Sequence, residues 1–160
     1  MLAIRPIRPS DNEILAKIIR QCFHDFNAPT VGTVYEDPTT DDLFSLFQNE
    51  KSMLWVAEWN KEVVGCCGIF PSASLPSRYV ELVKFYLSAD VRGKGIGRAL
   101  MMKSIESAIE FGYSKIYIES LPEFDTAVSF YKKSGFVQLK KPIGNSSHSG
   151  CNIWMIKKLQ

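Results

Sequence analysis

The 160-residue sequence predicts an α/β (α+β) fold: one mixed, mostly antiparallel sheet of six to seven strands flanked by about four helices. Three observations carry this. Short β-branched runs and stretches of helical apolar spacing follow one another in the order β-α-α-β-β-β-α-β-α-β-β. Two strands joined as a hairpin precede a strand-helix-strand-helix unit, so antiparallel and parallel pairing must share one sheet. The length suits a single domain over residues 1–160, with a full core and no room for a second domain of ordinary size.

The elements follow in order. Leu2–Ile7 reads as the first strand. Ser10-Asp11-Asn12-Glu13 has the form of a capping box, with Ser10 at the N-cap and Glu13 reaching back. Ile14, Leu15, Ile18, Ile19, Cys22, Phe23 and Phe26 then make one helical face. Asn27–Pro38 is a loop, and Thr39 or Thr40 caps a short second helix that turns Leu43, Phe44, Leu46 and Phe47 inward. Met53–Trp59 and Val63–Phe70 are strands joined by a tight turn at Asn60-Lys61. A strand from Tyr79 to Leu87 leads into a glycine-rich turn and a helix running to about Phe111, with Met101, Ile105, Ala108 and Ile109 as its buried stripe. Gly112 stands where a left-handed helix cap is expected. Lys115–Ser120 is a strand, and the next helix starts at Pro122 or Glu123 and stops before Gly135. Phe136–Leu139 and Ile153–Lys157 close the sheet around a polar loop, Lys141–Asn152.

Composition narrows the function. Hydrophobic residues are 46% and charged residues 22%, as in a soluble globular protein. A net charge of +2, with no basic run beyond Lys-Lys, argues against nucleic acid. No apolar stretch approaches the roughly 20 residues that span a bilayer, and the first residues lack the core of a signal peptide. The four cysteines (Cys22, Cys66, Cys67, Cys151) show no C-x-x-C spacing, so reduced thiols in a cytoplasmic protein without a metal are expected. Cys66 and Cys67, adjacent on a strand, should face opposite sides of the sheet.

The chemistry concentrates at Arg92-Gly93-Lys94-Gly95-Ile96-Gly97-Arg98. Glycines at alternate positions between a strand and a helix permit positive φ and close approach, and the helix N-terminus favours an anion. Arg92, Lys94 and Arg98 add positive charge. Rival phosphate motifs fail: no G-x-x-x-x-G-K-[ST] run occurs, and the dinucleotide pattern meets Arg98 or Leu100 where glycine or alanine is needed.

The turn resembles the Gln/Arg-x-x-Gly-x-Gly/Ala signature of the GNAT superfamily of acyl-CoA N-acyltransferases. Ala127-Val-Ser-Phe-Tyr-Lys-Lys-Ser-Gly-Phe136 is similar to that family's A-x-x-x-Y-x-x-x-G-F segment, and the element order fits over nearly the whole chain. The resemblance implies acetyl-CoA as cosubstrate, without a metal, and transfer of the acetyl group to a primary amine of a small molecule or protein. It implies that the pyrophosphate lies on residues Arg92 to Arg98, and that the backbone of Phe85, Tyr86 and Leu87 pairs with the pantetheine arm. Tyr131 takes the family's tyrosine position, contacting the cofactor and protonating the leaving thiolate; its ordinary pKa near 10 keeps it protonated.

An amine must be neutral to attack, so a base is needed, directly or through water. Glu81, on the fourth strand, is the first candidate and Glu119, near the end of the fifth, the alternative. Phe124 stands where many relatives carry an asparagine that touches the cofactor arm. Acceptor selection is expected from the loop after the first helix, with Phe26 and Tyr35, and from the loop before the last strand, with His148 as candidate ligand. No Ser-His-Asp or Cys-His signature is present. A non-catalytic acyl-CoA sensor is the alternative class, and a monomer or homodimer is expected.

Overall fold

The computed structural model describes residues 1–144 and 150–159. Seven strands form one sheet in the order β1-β2-β3-β4-β5-β7-β6, comprising β1 (Leu2–Pro6), β2 (Met53–Trp59), β3 (Glu62–Phe70), β4 (Tyr79–Leu87), β5 (Lys115–Ser120), β6 (Val137–Leu139) and β7 (Ile153–Lys158). Only β4 and β5 pair in parallel; every other pair is antiparallel. The helices are α1 (Asn12–Asp25), α2 (Leu43–Leu46), α3 (Ile96–Glu110) and α4 (Asp125–Lys133). The β2–β3 hairpin turns at Asn60 and Lys61, both with positive φ (51° and 71°), the conformation a two-residue hairpin loop demands.

Apolar clusters cover both faces of the sheet. One packs Leu100, Met101 and Ala108 of α3 and Val128 of α4 against Val80, Leu82, Ile116, Ile118 and Met155. The other packs Leu15, Ile19 and Phe23 of α1 and Leu43 of α2 against Leu54, Val56 and Cys66. Cys66 and Cys67 fall in different clusters, as their adjacency on a strand requires.

Some local expectations are corrected. Ser10 does not cap α1; it lies in a 3₁₀ turn over Pro9–Asp11. The buried Asp11 carboxylate takes the Arg8 N–H at 2.7 Å and the Arg5 guanidinium at 2.8 Å. A buried carboxylate tied to a β1 arginine is a firmer anchor than an exposed serine hydroxyl, so the corner forms one turn earlier. Aspartates, not threonines, cap the second helical region: Asp37 accepts from the Thr39 N–H and Asp42 from the Ser45 N–H. On α1, Ile14 points outward. On α3, Ile109 is exposed, while Ser104 and Ser107 are buried. Their hydroxyls are satisfied, Ser104 by donating to the Leu100 carbonyl and Ser107 by accepting from the Trp55 indole at 2.9 Å. Small polar residues with satisfied hydroxyls therefore occupy the close α3–sheet approach that apolar periodicity assigned to isoleucine.

Candidate active site

Strand β4 shapes the site. Val80 and Leu82 face the α3 side, whereas further along the strand Phe85 and Leu87 do so. The parity changes at Lys84, which has φ +55° inside the strand. Opposite it, the β3–β4 register jumps from Cys66↔Tyr86 to Gly68↔Val83. Lys84 is thus the extra residue of a β-bulge, which bends the strand and re-aims its side chains. Beyond Glu81 the pairing of β4 with β5 also stops: its register covers only Tyr79↔Lys115, Val80↔Ile116 and Glu81↔Tyr117. The two strands part, and β4 from Val83 to Tyr86 has no β5 partner across the gap.

On one side of the gap lies a cleft of about 290 Å³ lined by Phe26, Phe85, Tyr86, Leu87, Arg92, Gly93, Gly95, Gly97, Arg98 and Phe124, among others. Gly95 caps α3 with φ +83°. The first N–H groups of the helix have no acceptor within it and open toward the turn. A Cβ on Gly97 would come within 3.1 Å of the Phe85 ring, so the helix start and β4 approach as closely as glycine permits. A strand edge without a β5 partner, leading to a glycine-capped helix N-terminus with cationic side chains, fits the pantetheine arm and pyrophosphate of acetyl-CoA.

The expected cofactor residues are not equivalent. Arg98 lines the cleft and forms no ion pair with a described residue. Arg92 is committed to the protein: it donates to the Leu87 carbonyl at 2.8 Å, pairs with Asp25 at 3.1 Å and lies over the Phe26 ring. The Leu87 carbonyl, which also accepts from the Cys22 thiol, is therefore already engaged. Lys94 stacks on Trp59 outside the cleft lining. The Ile96 side chain is buried in the core, so only its backbone reaches the turn.

On the other side of the gap lies a cavity of about 400 Å³ lined by Asp37, Ser72, Glu81, Lys84, Tyr117 and Glu119, with Phe47, Phe70 and Leu75 among its apolar walls. A smaller connecting cavity touches Glu81, Lys84, Phe85, Glu119, Tyr131 and Cys151. Glu81 accepts from the Ser72 hydroxyl at 2.8 Å. Burial pushes its pKa up from 4.5 to about 7; the Glu119 charge adds to the rise, and Ser72 and Lys84 oppose it. Glu119 accepts from the Tyr117 hydroxyl at 2.8 Å through one oxygen, and its other oxygen is buried without a partner. Tyr131, on α4, is buried against Phe85, their ring centroids 6.0 Å apart, and burial keeps its phenol well above its ordinary pKa. Burial, with Glu119 and Glu81 adding, pushes the Cys151 thiol up to about 12, which removes it as a neutral-pH nucleophile.

Glu81, Glu119 and Tyr131 thus border one cavity, although they come from three elements. The acceptor residues expected from the loops are not gathered there. Phe26 belongs to the glycine-turn cleft, and Tyr35, whose hydroxyl sits 3.1 Å from His24, does not line any of the three cavities. His148 lies outside the described residues. Lys84, Ser72, Tyr117 and Asp37 were not anticipated. Two carried a signal: strict alternation in YVELVKFYL puts Lys84 in phase with Val80 and Leu82, a conflict that a bulge resolves, and Tyr117 stands two residues before Glu119 on one strand face.

The sequence profile of the acetyltransferase (GNAT) family matches residues 15–136. The chain belongs to this family. The uncharacterized N-acetyltransferase YjgM of Escherichia coli K12 is 30% identical over 157 residues, covering 98% of this chain and 94% of that one. Among solved structures, a GNAT-family acetyltransferase of Staphylococcus aureus Mu50 superposes with a TM-score of 0.88 at 22% identity, covering both chains fully. The acetyltransferase yncA of Salmonella typhimurium, described as putative and solved with acetyl-CoA, gives 0.78 at 17% identity, covering 99% of this chain and 94% of its own. In this chain the stretch of β4 beyond its pairing with β5 lies beside the glycine turn. Among the described residues, no helix is long and apolar enough to cross a membrane, and no group of three or more His, Cys, Asp or Glu side chains is placed to hold a metal.

Proposed function

We propose that this GNAT acetyltransferase is a cytoplasmic N-acetyltransferase that moves the acetyl group of acetyl-CoA to a primary amine by direct attack, without an acyl-enzyme. The observation that carries this reading is the pair of cavities meeting at the gap between β4 and β5: an anion-ready cleft on one side and a carboxylate-lined cavity on the other. Acetyl-CoA brings an activated thioester, so the protein's work is positioning and proton transfer. Orientation alone contributes on the order of 7–11 kcal/mol.

The start of α3 and Arg98 hold the pyrophosphate, and the β4 edge beyond its β5 pairing receives the arm. The Arg92–Asp25 pair locks the end of β4 to α1 and keeps that edge in place. Glu81 takes the proton from the amine; a carboxylate with a pKa of about 7 is a far better base near neutrality than an ordinary one. Tyr131, kept protonated by burial, supplies a proton to the departing sulfur. The raised thiol pKa of Cys151 supports direct attack over a cysteine relay.

Thiol release measured with acetyl-CoA across a panel of amines tests this reading. Amine-dependent release of coenzyme A is the expected result. Tight coenzyme A binding with no release for any amine would instead mark an acyl-CoA sensor.

A further inference from the structure

The cavity opposite the glycine turn is lined by a buried acceptor atom and by a lysine that forms no ion pair among the described residues. Glu119 Oε1 is buried and has no hydrogen-bond partner. It is an acceptor without a donor. Lys84 is 7% exposed, lines the same cavity and forms no hydrogen bond or ion pair with a described residue. It is a donor without an acceptor. Burial of the Glu119 oxygen without a donor costs stability, and native proteins rarely leave such an atom unless a ligand completes it.

The two do not complete each other, since no ion pair joins them. Asp37 and Glu81 are the carboxylates whose charge Lys84 feels most, but neither forms an ion pair with it; Asp37 takes the Thr39 N–H and hydroxyl, and Glu81 the Ser72 hydroxyl. The β4 bulge is what turns this lysine into the cavity. Without it, alternation would put position 84 among Val80 and Leu82 in the core.

We infer that the acceptor is a small amine that also carries a carboxylate, an amino-acid-like zwitterion, with its carboxylate on Lys84 and its ammonium on Glu119 beside Glu81. This rests on the acetyltransferase reading above and names the class of its acceptor. A diamine would satisfy the carboxylates, but it would leave Lys84 unpaired and repelled. A zwitterion satisfies both groups at once. The cavity of about 400 Å³ has room for such a molecule, and Phe47, Phe70 and Leu75 give its side chain an apolar wall.

The test compares amino acids with their carboxamides and with diamines of matched length, by coenzyme A release and by thermal shift in the presence of coenzyme A. The free acids are expected to exceed their amides in kcat/KM by about 10- to 100-fold, because the amide offers the Lys84 ammonium no anion. In Lys84→Met this ratio should fall close to one, while coenzyme A still shifts the melting temperature. Equal or better turnover of amides, preference for diamines, or an acid-to-amide ratio that survives Lys84→Met overturns the inference and leaves the acetyltransferase reading standing. So does acetylation of Lys84 itself, seen by mass spectrometry without any acceptor. If no amine releases coenzyme A, the acetyltransferase reading fails, and the thermal-shift contrast between acids and amides still decides what the cavity binds. The wild-type comparison holds even if the variant does not fold.

Discussion

Glu81 shows how one side chain ties stability to chemistry. Its folded pKa of about 7 lies above its ordinary 4.5, so the fold favours the protonated form. The resulting stability is fully present below pH 4.5 and is lost as pH rises through about 7, where the carboxylate must be held charged in the cavity. Glu81→Gln removes that cost. Urea unfolding should show it little changed against wild type at pH 5 and more stable by on the order of 2–3 kcal/mol at pH 8. Its kcat/KM should fall by about 10²- to 10⁴-fold. In wild type, activity should rise through an inflection near pH 7, and that inflection should be missing from the residual activity of the variant. Tyr131→Phe addresses the other proton. It should lower kcat at saturating substrates while leaving coenzyme A affinity nearly intact, and an unchanged kcat would remove the acid role. The sequence pointed to both residues. It did not reveal Ser72 on Glu81, because that hydroxyl comes from a loop that only folding brings to the carboxylate; Tyr117, two residues before Glu119 on β5, shares its strand face and was legible but went unread.

At the scale of elements, the turn before α3 and the bulge in β4 do different work. The turn is local chemistry, glycines where φ must be positive, and it was legible in the sequence. Gly95→Val should weaken coenzyme A binding by at least about 10-fold and cost about 1–2 kcal/mol of stability, since a β-branched residue resists a φ of +83°. Isothermal titration and urea unfolding read the two effects separately. The bulge was only half legible. Lys84 broke the alternation of YVELVKFYL, but the slip itself is fixed by the register of β3, where Gly68 pairs with Val83 and Cys66 with Tyr86. The capping residues were missed for a related reason. Asp11 anchors the β1–α1 corner through Arg5 and the Arg8 N–H, and the Arg5 contact exists only once strand and helix have met.

At the scale of the molecule, one sheet carries helices on both faces and a gap where β4 and β5 part. Coenzyme A that binds this folded state must stabilise it by mass action. At a concentration 100 times its Kd the gain is about 2.7 kcal/mol, or roughly 5–11 °C in melting temperature for a domain of this size. Differential scanning fluorimetry checks this directly, and no shift at millimolar coenzyme A would remove the cofactor assignment. The effect belongs to the whole domain, because the cleft is built from α1, β4, α3 and α4 together.

The sequence by itself determined the order of elements, the hairpin at Asn60-Lys61, the glycine turn, and the family through residues 92–97 and 127–136. These are local patterns, set by φ, capping and apolar period within a few residues. Only the tertiary structure decided that Arg92 is tied to Leu87 and Asp25 rather than left free, that Tyr35 does not line the cavities, and that Lys84 and Glu119 face one of them. Those outcomes depend on burial and on partners far apart in the chain. The glycine turn could therefore point to the cofactor from sequence, whereas the cavity proposed for the acceptor exists only where β4, bulged against β3, parts from β5.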